Sequence, residues 1–338
     1  MTRQDTPTVS FIVPAFNPGS WLEPCVRSVL AQTMKNLELI VVDDGSTDGA
    51  VQKLTGSSCG ADPRIKIIRQ QNRGAAAARN TGLSHASGRW INFIDADDLL
   101  HPEKLRHQLD YLKTNPQLMI VSGAWCRFYH EPPAIPQVCA DELWRVHTPE
   151  SWLTAALEHN LMMQPAAWLV KSDLIEKAGP WDETLTLNDD GEYFARILLA
   201  TDNVGFCAKA LSYYRSGIAN SLSGGRSPAH FASALSALSS ISDQLDAVTD
   251  QRTTQQALAK AWTRLAVESY PYAPKVSVRS EAKARHYGEF NPTIGGRWLR
   301  RLSRPLGWRT ARRLQTAVYA LGYRQYGIRR AKKRVFDV

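Results

Sequence analysis

Asp95-Ala96-Asp97 closes the apolar run Trp90-Ile91-Asn92-Phe93-Ile94. Alternate residues of a strand share a face, so the two carboxylates can converge on one point. Hard oxygen ligands suit Mg²⁺ or Mn²⁺, which keep several waters and bridge to phosphates. Aspartate pairs also cap turns, so the spacing alone is a weak signal, and its place at the end of a buried run is what strengthens it. Asp44 ends a second apolar run, Leu37-Glu38-Leu39-Ile40-Val41-Val42. A carboxylate there can accept N–H bonds from a nucleobase edge. It can also cap a helix over Gly45 to Lys53, although Asp48 is placed for the same task. Arg79 reads best as a neutraliser of buried carboxylates, while Arg73 stays open. His85, His101 and His107 show no ligand spacing.

These groups need elements to position them. Val9-Ser10-Phe11-Ile12-Val13-Pro14 is an apolar run stopped by proline, followed by the turn cluster Ala15-Phe16-Asn17-Pro18-Gly19. Leu22, Val26, Val29 and Leu30 then recur at helical spacing. Ile65 to Ile68 is a further strand, Gly74 to His85 an alanine-rich helix, and Pro102 opens another helix, where its missing N–H costs nothing. Strands alternating with helices predict a mainly parallel sheet flanked by helices. Ligands of such sheets bind outside the carboxyl ends of the strands, and Pro14 to Asn17, Asp43-Asp44 and Asp95 to Asp98 all fall there.

Beyond Ala200 the alternation stops. Phe231, Leu235, Leu238, Ile241, Leu245 and Val248 form one helical stripe, and Leu258, Ala261, Trp262 and Leu265 a second. Together they predict a helical hairpin packed on the α/β body. Pro271 and Pro274 break the region. Charge is uneven along the 338 residues: of the net +9, residues 295–338 carry thirteen Lys/Arg against one acidic side chain. Arg297, Arg300, Arg301 and Arg304 share a helical face, with Trp298, Leu299 and Leu302 on another. Trp308, Ala311, Leu314, Val318 and Leu321 continue an apolar stripe beside Arg309, Arg312 and Arg313. A basic face opposite Trp and Leu suits either a helix lying on an anionic membrane or an ordinary helix docked on the protein.

No run of about 18 uncharged apolar residues exists, so no transmembrane helix is expected. Met1 to Thr8 lacks a basic stretch followed by an apolar one. The expected location is therefore cytoplasmic, with peripheral attachment at the inner membrane face as an option. Five scattered cysteines with no CxxC pair argue against a disulfide framework or a structural zinc site.

Taken together, Val9 to Asn17, Ser28-Val29-Leu30-Ala31-Gln32-Thr33, Glu38 to Asp48, Asn72-Arg73-Gly74, Ala78-Arg79-Asn80 and Ile94 to Asp98 resemble a family 2 glycosyltransferase of the GT-A fold. The match is dense over about residues 8–120. It continues more loosely through Trp181-Asp182-Glu183 and Asp189 to Arg196, where Asp189-Asp190 stands in place of the usual Glu-Asp. The resemblance implies a GT-A domain over 1–225, with a nucleotide-binding half at about 8–120 and an acceptor half at about 121–225. A helical extension over 226–294 and a basic amphipathic tail over 295–338 would follow.

The resemblance also implies inverting transfer from a nucleotide sugar, a UDP-sugar by preference, to a hydroxyl of a glycan or lipid-linked acceptor in envelope or polysaccharide assembly. Pro14, Phe16, Asn17, Asp44, Arg73, Asp95 and Ala96 would then bind the nucleotide sugar, and Asp97 would hold Mn²⁺ or Mg²⁺. Asp190 would be the general base, with Asp189 near the acceptor and Arg215 a diphosphate contact. Many relatives carry a histidine shortly after the Tyr-Arg pair, and Tyr213 to Ser221 has none.

Two other classes remain in view. A nucleotidyltransferase would need a glycine-rich, Lys/Arg-bearing phosphate loop after the first strand, and Ala15 to Trp21 is not one. A non-enzymatic binder of nucleotide, nucleic acid or membrane could use the basic tail, but no nucleic-acid module is recognisable, which disfavours nucleic acid as a partner.

Overall fold

The computed structural model describes residues 7–218, 225–292, 294–295 and 297–319. The chain divides into two compact units. One is Met1–Gly225 with Ser236–Asp250, and the other is Arg226–Leu235 with Gln251–Val338.

The first unit holds an eight-stranded sheet in the order β3-β2-β1-β4-β7-β6-β8-β5. Its strands are β1 (Val9–Ala15), β2 (Leu37–Asp43), β3 (Ile65–Arg69), β4 (Trp90–Phe93), β5 (Leu99–Leu100), β6 (Ile120–Phe128), β7 (Leu169–Lys171) and β8 (Gly205–Arg215). Strand β2 is buried along its whole length and β1 nearly so, because helices cover both faces and apolar side chains are needed on each. β1, β2, β3 and β4 pair in parallel. β7 lies antiparallel between β4 and β6, which restores the original direction for β6 and for its parallel neighbour β8. Six of the eight strands therefore run the same way, as a mainly parallel sheet requires, and β7 and β5 oppose them. The carboxyl ends of β1, β2, β3, β4, β6 and β8 share one rim.

The helices of this unit are α1 (Leu22–Leu30), α2 (Ala50–Thr55), α3 (Ala75–Ser84), α4 (Lys104–Thr114), α5 (Pro149–His159), α6 (Ser172–Ala178) and α7 (Asp189–Leu199). Helix α1 buries Leu22, Cys25, Val26 and Val29 in one core with Phe11, Val13 and Leu39 of the sheet. Ala78 of α3 packs instead with Ile40 and Val42, whose side chains alternate to the opposite face. The small residues of α3 bring it close to β1: a Cβ on Gly82 would stand 2.4 Å from Ile12 Cγ2. Helix α4 starts at Lys104, with Pro102 in the turn before it.

Beyond the sheet lie α8 (Pro228–Val248), whose residues are shared between the two units, α9 (Arg252–Ser269), α10 (Pro274–Tyr287) and α11 (Arg297–Val318). Within the second unit α9 and α10 pair closely. Pro274 does not merely break the chain; it occupies the first turn of α10, and Ser277 Oγ donates to Ala266 O of α9 at 2.8 Å.

Helix α11 is interrupted at Gly307 (φ 74°, ψ 154°), two residues after Pro305. Part of its apolar stripe serves a protein core: Leu299 and Ala311 are buried with Val267 and Ile294. Arg312, expected among the charges flanking that stripe, is buried and donates from Nε to Val267 O and Tyr270 O. Leu306, Leu314 and Arg313 are exposed. Leu321, the rest of the basic tail from 320 onward, and the side chains of Arg297, Trp298, Arg300, Leu302 and Arg304 lie outside the described residues. Among the described residues, no helix is long and apolar enough to cross a membrane. All five cysteines are free.

Candidate active site

At the end of β1, Pro14 is the penultimate strand residue and Phe16 stands 54% exposed at the rim. Asn17 adopts a left-handed backbone (φ 47°), a conformation asparagine tolerates better than most residues. Its Oδ1 accepts from Thr47 N at 2.8 Å and its own N–H donates to Ser46 Oγ at 3.1 Å, joining the β1 and β2 ends. Asp48 accepts from Ala50 N at the start of α2 and from Gly19 N across the same gap. Asp48 thus serves the first N–H of α2, whose N-cap is Gly49.

Asp44 is engaged as well. It is buried, and its carboxylate accepts from Gln70 Nε2 (2.7 Å), Arg73 N (2.9 Å) and Gly74 N (2.8 Å). The loop from β3 into α3 is therefore built on this side chain. Gly74, with φ 92°, takes a backbone conformation that L side chains rarely adopt. The guanidinium of Arg73 pairs with Glu183 at 2.5 Å.

After β4 the chain delivers Asp95, Ala96, Asp97 and Asp98 to the rim within four residues. Asp95 accepts from Arg79 Nη2 at 2.8 Å. Burial and the charge of Asp95 push the Asp97 carboxyl up to about 6, against the opposing pull of Arg215. Asp98 is fully buried, and its proton affinity is likewise raised, first by burial and then by Asp97 and Asp95. Its Oδ1 accepts from Arg215 N at 2.8 Å, while its buried Oδ2 has no partner. Arg215 arrives from the end of β8. Its Nε donates to Asp97 O at 2.9 Å and its Nη1 to His130 O at 2.8 Å.

Asp189 and Asp190 open α7, whose N-terminal dipole favours negative charge. Gly191 leaves room there for the Asn188 side chain, whose Oδ1 would lie 2.3 Å from a Cβ at this position. Asp189 accepts from Arg79 Nη1 at 2.8 Å. Asp190 Oδ1 accepts from Gly191 N at 2.8 Å. Burial, followed by the Asp189 charge, lifts the Asp190 carboxyl to about 6. Further along the helix, Glu192 and Arg196 pair at 2.9 Å. Tyr193 stacks on Trp181 with ring centroids 3.9 Å apart, and Arg79 lies 4.4 Å over the same indole.

Arg79 is the buried link between the two acidic groups, neutralising Asp95 and Asp189 together. The sequence suggested the neutralising task but not that its two partners belong to separate halves of the domain. Trp21 and Phe128, whose ring centroids lie 3.9 and 4.3 Å from the Arg215 guanidinium carbon, carried no sequence signal. Ala219 to Ser221, which follow Arg215, lie outside the described residues.

A divalent cation suits the acidic loop in one respect. Buried carboxylates with raised proton affinity and an unpartnered oxygen mark excess negative charge. Among the described residues, no group of three or more His, Cys, Asp or Glu side chains could hold an ion by itself. Mg²⁺ and Mn²⁺ commonly bind through one or two carboxylates and complete their shell with phosphate oxygens and water, which fits this donor set.

Residues 10–174 match the family model of Glycosyl transferase family 2. This segment belongs to glycosyltransferase family 2. The family 2 segment carries β1 to β7 and the acidic loop, while α7 lies beyond it. The chain is 43% identical over 107 residues to an uncharacterized glycosyltransferase of Rickettsia conorii, covering 32% of this chain and 17% of that relative. It is 30% identical over 215 residues to the uncharacterized glycosyltransferase EpsJ of Bacillus subtilis, covering 62% of this chain and 61% of EpsJ. The chain thus spans less than two thirds of the length of these relatives.

Among solved structures, S. aureus TarS 1–349 in complex with UDP-GlcNAc superposes with a TM-score of 0.66 at 17% identity, covering 93% of this chain and 92% of that one. The mannosyltransferase PcManGT of Pyrobaculum calidifontis, in complex with GDP-Man and Mn²⁺, gives 0.55 at 18% identity, covering 95% and 87%. These likenesses show that the fold of the family 2 segment and its surroundings is GT-A.

Proposed function

We propose that the protein is an inverting glycosyltransferase that moves a sugar from a UDP-sugar to a hydroxyl of a glycan or lipid-linked acceptor in envelope polysaccharide assembly. One observation carries this reading: Arg79 binds Asp95 and Asp189 at once, which brings the acidic loop after β4 and the first turn of α7 to the same rim.

In this reading the nucleoside lies against Pro14, Phe16, Asn17, Arg73 and Ala96. Asp44 takes a base N–H on the acceptor capacity that Gln70, Arg73 and Gly74 leave, and Asp95 faces the ribose. Asp97 would hold Mn²⁺ or Mg²⁺, which when bound supplies positive charge to the leaving diphosphate. Asp189 is occupied by Arg79, so Asp190 is the carboxylate left to take the acceptor hydroxyl's proton as that oxygen attacks the anomeric carbon. Its raised proton affinity suits a base that works near neutral pH. Attack opposite the diphosphate inverts the centre and needs no covalent sugar–enzyme link.

The test is a panel of nucleotide sugars scored for release of nucleoside diphosphate, with and without Mn²⁺ or Mg²⁺. Metal-dependent release from one donor, lost in Asp97→Ala and Asp190→Ala, is the expected result. Absence of release from every donor, with nucleotide binding retained, would favour a non-enzymatic binder.

For the basic tail we propose peripheral attachment to an anionic membrane. Exposed Leu306, Leu314 and Arg313 support it, as does the charge of residues 295–338, at about 1 kcal/mol for each basic group near such a surface. Co-sedimentation with anionic vesicles should exceed that with neutral vesicles and fall as salt rises. Equal binding to both would remove the electrostatic anchor.

A further inference from the structure

Arg215 is buried at the end of β8. Its Cζ lies 3.9 Å from the ring centroid of Trp21 and 4.3 Å from that of Phe128. Nε donates to the main-chain oxygen of Asp97 at 2.9 Å, and Nη1 to that of His130 at 2.8 Å. The main-chain N–H of the same residue donates to Asp98 Oδ1 at 2.8 Å. One residue at the end of β8 thus grips the acidic loop at two successive positions and ties it to the chain leaving β6. Phe128 pairs with Arg215 in the β6–β8 register, so the aromatic half of the clamp is fixed by the sheet itself.

This geometry answers poorly to a diphosphate contact. Two of the five guanidinium N–H groups, one on Nε and one on Nη1, are committed to carbonyl oxygens, and the contacts with Trp21 and Phe128 restrict how the guanidinium can turn. It answers well to another task. A carboxylate that holds a cation must keep its orientation, and hydrogen bonds to its surroundings usually enforce that. Here the bonds are made to the backbone carrying the carboxylate, and the charge faces both Asp97 and Asp98.

We propose that Arg215 is a positioning residue. It holds the Asp97–Asp98 loop in the shape that binds a divalent cation together with a nucleoside diphosphate, and it does not touch the diphosphate. The inference rests on the transferase reading above.

The test is UDP binding by titration calorimetry in two arms, one with Mn²⁺ and one with chelator, on the full chain. Arg215→Met keeps an unbranched stem near Trp21 and Phe128 and removes the guanidinium. Arg215→Lys keeps the charge and loses the planar fork. Thermal unfolding of each variant controls for folding. If Arg215→Met does not fold, Arg215→Lys and Trp21→Leu, which removes one side of the clamp, carry the test.

The expected result is that Arg215→Met weakens the Mn²⁺-dependent arm about tenfold or more, the usual effect of removing a partner that orients a metal ligand. Arg215→Lys should fall between Arg215→Met and wild type, and the chelator arm should stay within about twofold for both. An equal loss in both arms would make Arg215 a direct diphosphate contact and overturn the proposal, as would no loss in either. If the wild-type protein shows no Mn²⁺-dependent gain in UDP affinity, the transferase reading fails and takes this inference with it. A wild-type gain that the variants preserve sinks this inference alone.

Discussion

Arg79 Nη1 meets Asp189 Oδ2 at 2.8 Å across 110 residues of sequence. The same guanidinium reaches Asp95 through Nη2 at 2.8 Å. The pairing distinguishes the two aspartates that open α7. Of two adjacent aspartates, one is held as the partner of a buried cation, and the other keeps a carboxylate that accepts only from Gly191 N among the bonds described.

Asp190 should therefore set the acid limb of the pH profile. Its proton affinity is raised to about 6, by burial first and by Asp189 second, and only the deprotonated form can act as a base. kcat/KM for transfer should rise by at least about tenfold per pH unit below that value, more steeply where Asp97, also raised to about 6, must ionise too, and level off above it. Asp190→Asn should lower kcat by about 10²–10⁴ with UDP affinity unchanged. A wild-type profile flat from about pH 5 to 8 would take the base role away from Asp190.

Arg79→Met should destabilise the fold by about 3–5 kcal/mol, the usual cost of leaving a buried charge without its partner. Adding Asp189→Asn should return part of that loss, because one uncompensated carboxylate is then removed. Urea denaturation of the two single variants and the double variant gives the coupling. Strict additivity would mean that the pair is not energetically linked.

Asp44→Ala should loosen the loop that leads into α3. Three donors, Gln70 Nε2, Arg73 N and Gly74 N, lose their shared acceptor. Bonds to a charged group contribute about 1.5–3 kcal/mol each, so the loop should open locally before the sheet does. Hydrogen exchange at the Arg73 and Gly74 amides should accelerate while that of the buried β2 amides stays slow. Unchanged exchange at both loop amides would show that the loop is held by other contacts.

Lys104 of α4 is fully buried, bonded through Nζ to Gln108 Oε1 at 2.9 Å, and burial lowers its pKa to about 7. Its folded value lies below its unfolded one. The corresponding stability is complete above about pH 10.4 and is lost as pH falls toward 7. Between about pH 7 and 9, wild-type stability should gain up to about 1.4 kcal/mol per unit from this residue, and Lys104→Met should lack that slope. Denaturation at three pH values tests it, since parallel slopes for the two proteins would mean that Lys104 stays charged in the fold.

Much of the rim could be read from sequence because it follows from local patterning. The apolar runs that end at Pro14, Val42 and Ile94 are strands, and a parallel sheet sends their carboxyl ends to one side. Asp44 and Asp95 to Asp98 could be placed by that rule alone. What could not be read depends on long-range register. The meeting of Arg215 with Phe128 is set by the β6–β8 pairing, which contains a register shift between Gly123 and Ala124 that no periodicity announces. The α9–α10 pair is not announced either, because Pro274 reads as a break in the sequence, whereas at the first turn of a helix proline is compatible with its start. The stripe on α11 was ambiguous for a different reason: periodicity marks an apolar face but not what covers it, and Ala311 and Leu314 meet different fates.

The sheet's two outer strands bear on how copies of this chain could meet. β5 is two residues long. β3 carries Lys66 and Arg69, whose side chains are 54% and 64% exposed. A short margin on one side and a cationic one on the other both discourage edge-to-edge strand pairing. Among the described residues, the margins of the sheet are thus ill suited to strand-by-strand addition of another copy.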